Sequence, residues 1–209
     1  MEVDEFCQNG KFYSINNIYF DTDTNELIRT SIDKPVYKEK LRLRSYGIPQ
    51  IDDMVFLEIK KKYKGIVNKR RTLLTLKQAY DFLFERIIPN EGDYLNKQVI
   101  NELSFFLEFY EPKAKLFLGY DRMAMFGKED NDLRITFDRN IRTRRNNLRL
   151  ETSDEGQQLL EKGSVLVEIK TPTSFPLWLT GILTENDMKG VSFSKYGTEY
   201  GKYVLNKKI

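Results

Sequence analysis

The chain has 209 residues, 40% hydrophobic and 13% aromatic, with 34 basic and 31 acidic side chains and a net charge of +3; this suits one packed domain over residues 1–209 and excludes a disordered chain. It has no histidine, which excludes Ser/His and Cys/His triads and histidine-held zinc, so any metal must have oxygen ligands, favouring Mg²⁺ or Mn²⁺. The one cysteine, Cys7, excludes an internal disulfide and suits a reducing compartment, no apolar run approaches the ~20 residues of a membrane span, and the start MEVDEF is not a signal peptide.

Residues 1–11 read as a polar lead-in. The run 12–21, FYSINNIYFD, is rich in β-branched and aromatic residues and predicts a strand. Asp21, Asp23 and Asn25 follow as turn residues, with an Asx turn preferred over a metal site for the two carboxylates. From 36 to 71 the pattern has period two. Lys38, Lys40, Arg42 and Arg44 share one face and Tyr37, Glu39, Leu41 and Leu43 the other. After a turn at 47–49, Met54, Phe56, Glu58, Lys60 and Lys62 alternate with Val55, Leu57 and Ile59. A turn at Lys64-Gly65 leads to Lys69, Arg70 and Arg71.

Thr75 with Gln78 predicts a capping box and a helix with the stripe Leu76, Ala79, Tyr80, Leu83 and Phe84. A turn at 89–92 leads to a second helix over 93–110, ended by Pro112. Strands are expected at 115–122, 133–138 and 165–170. Arg142, Arg144, Arg145 and Arg149 form a second basic cluster, read as a solvated loop rather than a nucleic-acid or lipid site. Ser153 is expected to cap a short helix stopped at Gly163, and Pro176 to open an apolar helix through Leu183.

Residues 38–71 hold 11 of the 34 basic side chains against four acids. For one strand the plain reading is a solvated face. The pattern recurs in 133–138, where Arg134, Thr136 and Asp138 alternate with apolar residues, and in 165–170, where Glu168 and Lys170 do. Such strands could form an antiparallel β-barrel, in an α+β fold, with the charges inside and helices outside. Each unpaired buried ion costs several kcal/mol, so the interior must be wet or hold a polyanion.

The motifs Y-x-I-x-x-I-Y-F-D at 13–21, K-x-R-x-R-S-Y-G at 40–47, F-L-E-I-K-K-K at 56–62 and K-R-R at 69–71 resemble the VTC (polyphosphate polymerase) domain family. So do Y-x-R at 120–122, L-R-I-T-F-D at 133–138, V-L-V-E-I-K at 165–170 and F-S-K-Y at 193–196. That family belongs to the CYTH-like triphosphate tunnel metalloenzymes. The resemblance implies a β tunnel that grips a phosphate chain and transfers the γ-phosphate of a nucleoside triphosphate, typically ATP, to inorganic polyphosphate. It implies phosphate contacts from Lys40, Arg42, Arg44, Lys60, Lys69, Arg122, Arg134 and Lys195, with Lys60, Arg134 and Lys195 closest to the chemistry. Arg71 and Lys170 are expected as second-line contacts, and Glu168 as the ligand of Mn²⁺ or Mg²⁺. Two departures stand out: the family's first strand, with an E-x-K motif, finds no match in the eleven residues before Phe12, so either the chain is shortened or the tunnel lacks one wall, and Ser192 stands where some relatives have lysine.

The expected partners are a nucleoside triphosphate and inorganic polyphosphate, with no nucleic acid, in the cytoplasm or at a membrane through a membrane-protein partner. Triphosphate hydrolysis and non-catalytic polyphosphate binding are alternative readings. Nucleic-acid binding, with Tyr37, Tyr46 and Tyr63 as stacking platforms, is opposed by the interleaved glutamates.

Overall fold

The computed structural model describes residues 1–33, 35–89, 95–130, 132–172 and 174–206. The strands are β1 (Glu2–Val3), β2 (Tyr13–Asp21), β3 (Tyr37–Tyr46), β4 (Met54–Tyr63), β5 (Ile66–Thr75), β6 (Lys113–Phe126), β7 (Arg134–Arg144), β8 (Gln157–Gln158) and β9 (Leu166–Lys170). The helices are α1 (Glu26–Ile32), α2 (Leu76–Glu85), α3 (Lys97–Tyr110), α4 (Leu177–Glu185) and α5 (Lys195–Glu199), which runs into a π turn at Tyr200–Val204. The fold is α+β, with one antiparallel sheet in the order β5-β4-β3-β2-β6-β7-β8; β1 pairs with β6, and β9 with β7. Among the described residues β5 and β9 do not pair, so the sheet curls without hydrogen-bonded closure.

The period-two pattern sorts residues as expected. Leu41, Leu43, Val55, Leu57, Ile59 and Leu74 are buried on the convex face against Leu76, Ala79 and Leu83 of α2 and Val99, Leu103 and Phe106 of α3. Burying one such side chain stabilises by roughly 1.5–3 kcal/mol. On the far wing Leu133 and Ile135 pack beneath Leu179 of α4, again on the convex side. The β4–β5 hairpin turns on Lys64 and Gly65 at φ 46° and 88°, the left-handed pair that a two-residue loop requires. Thr75 and Gln78 form the expected capping box.

Several elements differ from the sequence reading. The lead-in is structured: Glu2–Val3 pair with β6, and Cys7 in a 3₁₀ turn over Glu5–Gly10 is fully buried, its Sγ accepting from the Ala124 amide. α1 was not foreseen. Its start is held by Asp21, whose carboxylate accepts from the Leu27 and Ile28 amides, so Asp21 is a helix anchor and not an Asx-turn or metal residue. Asp23 instead pairs with Lys113 and Lys115. The helix after Ser153 is absent: its backbone carbonyls at Asp154 and Glu155 accept from Arg142 and Arg144, and residues 157–158 pair with β7. β7 runs on to Arg144 because Ile141 and Thr143 are buried. The second helix begins at Lys97 behind Asn96, which caps Val99 N; the expected turn at 90–92 and start at 93 lie outside the described residues.

Candidate functional site

The concave face of β3, β4 and β5 is built in cross-strand rows. Lys38 faces Lys62; Lys40, Lys60 and Lys69 form the next row; Arg42, Glu58 and Arg71 the next; Arg44 and Phe56 the last. On β2, Tyr19 stands opposite Arg42 and Asn17 opposite Arg44. The far wing adds Arg122 on β6, Thr136 and Asp138 on β7 and Glu168 on β9. α5 brings Lys195 to the same face: its ammonium lies 2.7 Å from Asp138 and 4.6 Å from the Tyr120 ring centroid, and the preceding Ser194 Oγ lies 3.4 Å from Lys40 Nζ. α5 thus reaches both wings of the sheet, Lys40 on β3 and Asp138 on β7.

Two buried carboxylates organise the cations. Glu58, 2% exposed, is 2.6 Å from Arg42 Nε, 2.5 Å from Lys69 Nζ and 3.8 Å from Arg44 Nε. Burial pushes its carboxyl up, but these cations outweigh it and hold it down at about 2. Asp138, fully buried, takes Arg122 through both oxygens at 2.7 and 2.8 Å, together with Lys195. Burial opposes its ionisation, yet Arg122 and Lys195 lower its carboxyl below the usual range. Neither residue was singled out in the sequence beyond sharing the charged face.

Two tyrosines join this layer to the core. Tyr19 and Tyr120 keep their rings among Ile15, Leu116, Leu118 and Tyr196, while their hydroxyls accept from Arg42 at 3.2 Å and Arg44 at 3.3 Å. Burial raises the Tyr19 phenol, but Arg42, Arg44 and Lys40 draw it down to about 8. Burial also lowers the Lys40, Lys60 and Lys69 ammoniums, which crowd other cations. The nine cations Lys40, Arg42, Arg44, Lys60, Lys69, Arg71, Arg122, Arg134 and Lys195 outnumber the carboxylates Glu58, Asp138 and Glu168 on this face by six, and Lys38, Lys62 and Lys170 add to that excess.

The residues named from the sequence do not all sit alike. Arg42, Arg44, Lys69, Arg122 and Lys195 are clasped in the two clusters, whereas Lys60 and Arg71 have no carboxylate partner among the described residues. Arg134 lies at the rim, 3.7 Å from Asp4 and over the Phe126 ring, and its buried Nε has no partner among the described residues; neither has Thr136 Oγ1 beside it. Such unmet groups call for a ligand or water. Glu168 is half exposed, 3.2 Å from Lys170, and kept ionised by Lys170, Lys195 and Arg122 against its burial.

The second basic cluster is a solvated loop only in part: Arg142 and Arg144 lie on β7, while Arg145 and Arg149 lie exposed in the loop that follows. Arg142 is paired with Asp121 and Asp154, Arg145 grips Glu199 through two nitrogens, Arg149 meets Glu151, and Arg144 donates to the carbonyls of Asn147, Glu155 and Arg149. These contacts tie the end of β7 to the loops around it.

The divalent metal implied for this fold meets a thin donor set. Among the described residues no three carboxylates converge, so an all-protein cage does not fit. One ionised carboxylate, Glu168, does fit an ion whose remaining ligands are phosphate oxygens and water.

The sequence matches the VTC domain over residues 1–204. The chain belongs to the VTC domain family. No curated protein matches it. Among solved structures, a candidate adenylate cyclase from Bacillus halodurans is 16% identical, with 90% of this chain and 82% of that one aligned at a TM-score of 0.55, which shows a shared fold. A candidate adenylyl cyclase from Hippeastrum, described as having a dominant triphosphatase activity, is 15% identical over 95% of this chain and 85% of that one, at a TM-score of 0.47. Among the described residues of this VTC chain, no helix is long and apolar enough to cross a membrane.

Proposed function

We propose that this VTC chain, as a single tunnel domain, transfers the γ-phosphate of a nucleoside triphosphate such as ATP to inorganic polyphosphate. The observation that carries this is the excess of positive charge gathered on one concave face from β3, β4, β5, β6, β7 and α5. Phosphoryl transfer needs alignment and charge neutralisation more than covalent help, and the residue types suit it. Arg42, Arg44 and Arg122 are held rigid by carboxylates, ready to fork phosphate oxygens. Lys60, which lacks such a clasp, is a movable charge for the phosphoryl group in flight, with Lys195 and Arg134 on the facing wing. An oxygen of the acceptor's terminal phosphate attacks the γ-phosphorus, the bond to the β-bridging oxygen breaks, and the nucleoside diphosphate leaves. The acceptor oxygen is already anionic near neutral pH, so no histidine base is needed. Glu168 would hold one face of Mn²⁺ or Mg²⁺, which when bound neutralises phosphate charge. The cytoplasm, with or without a membrane-protein partner, is the setting this reading expects.

Incubating the chain with ATP and Mn²⁺ and separating products by length tests the proposal. Long phosphate chains are expected. Free phosphate alone would make the chain a triphosphate hydrolase, and neither product with tight tripolyphosphate binding would make it a binding module.

A further inference from the structure

At the arginine end of the rows the lining turns aromatic. Tyr46 follows Arg44 two residues on along the concave face of β3, about 7 Å further along the strand. Its ring stacks on Phe6 at 6.2 Å between centroids and 8° between planes, leans on Tyr13 at 5.9 Å, and meets Phe56 edge-on at 5.9 Å. Cations border the cluster. The Arg71 guanidinium lies 4.8 Å from the Phe56 ring centroid, and Tyr13 stands cross-strand from Arg122. Yet Tyr46 and Phe6 are 52% and 68% exposed, so these rings keep open faces toward water. A cluster serving packing alone would bury them.

The opposite end of the same rows is different in kind. It closes on Lys38 and Lys62, carries no ring cluster of this sort among the described residues, and offers flexible ammoniums rather than forks. A flat aromatic surface beside fixed guanidiniums matches a ligand with a π-face at one end and phosphates at the other. Inorganic polyphosphate has no such face; a nucleotide has.

We propose that Tyr46 and Phe6 form the platform on which the base of a nucleoside triphosphate stacks while its phosphates lie along the arginine rows. This rests on the phosphate-transfer reading above and assigns the nucleotide to the Arg44–Phe56 end of the site. The platform reads ring shape through stacking, so it accepts either purine.

Calorimetric titration with ATP and with tripolyphosphate, each with Mg²⁺, separates the two claims. Tyr46→Ala is expected to weaken ATP about tenfold, within the range that base stacking supplies, and to leave tripolyphosphate unchanged. Tyr46→Phe keeps the ring and should match the wild type on both ligands. Phe6→Ala, at the more exposed ring, should reproduce the selective loss without touching the β3 hydrogen bonds. Equal losses on both ligands, or no loss on either, overturn the platform and leave the phosphate reading intact. A wild type that binds neither ligand overturns both; one that binds tripolyphosphate but not ATP overturns the platform and the nucleotide as phosphoryl donor, and leaves only phosphate binding.

Discussion

A carboxylate buried between Arg42, Arg44 and Lys69 is the least replaceable group of this site. Breaking a buried ion cluster by removing one partner costs about 3–5 kcal/mol, so Glu58→Gln should lower the melting temperature by that equivalent, and tripolyphosphate should restore more stability to this variant than to the wild type. Because the folded carboxyl is depressed to about 2 from 4.5, its contribution is complete above pH 4.5 and lost as pH falls toward 2. That is up to about 3 kcal/mol, to be read from denaturant titrations across this window. Tyr19 works in the other direction. As pH rises through about 8 a phenolate forms beside Arg42 and competes with phosphate, so tripolyphosphate affinity should fall there, and Tyr19→Phe should remove that fall. A wild-type affinity flat from pH 7 to 9 contradicts this role.

At the scale of the element, alternation was readable because each strand reports its two faces through its own residues: Lys40, Arg42 and Arg44 against Leu41 and Leu43. The clasps were not readable. That Glu58 stands between Arg42 and Arg71, and Asp138 beside Arg122, depends on register between strands, which no single segment encodes. Arg142 and Arg144 misled for a related reason. Flanked by asparagines and further arginines, they look like a loop, whereas Ile141 and Thr143 keep β7 going, Asp121 and Asp154 pair with Arg142, and backbone carbonyls take Arg144. α1 escaped notice because it is seven residues long, its N-cap Asn25 makes no side-chain capping bond, and the carboxylate that holds its start, Asp21, lies at the end of β2. The contrast between the two basic groups is measurable. Arg144→Ala removes three hydrogen bonds to carbonyls and should lower the melting temperature with tripolyphosphate affinity kept within about twofold, while Arg42→Ala, losing a charge-assisted contact worth ~1.5–3 kcal/mol, should weaken that affinity at least about tenfold.

For the whole molecule, one sheet runs from β5 to β8 and β9, and among the described residues its two ends, β5 and β9, do not pair. The convex side is closed by α2, α3 and α4, and the concave side is partly filled by α5, whose Tyr196 stacks toward Tyr19 with centroids 5.0 Å apart. Core and site therefore share one sheet: the apolar face fixes strand register, and register fixes which cations meet. The unbalanced positive charge should make tripolyphosphate affinity fall steeply with salt, as screening does for exposed charge pairs. Bound ligand should raise the melting temperature in proportion to the logarithm of its concentration.

The most direct measurement is a crystal structure with tripolyphosphate and Mn²⁺ bound. The expected result is a phosphate chain on the concave face, within hydrogen-bond distance of Arg42, Lys60 and Lys195, and a metal ion touching Glu168. A chain held instead on the outer surface, with water alone over Arg42 and Lys60, would contradict the account.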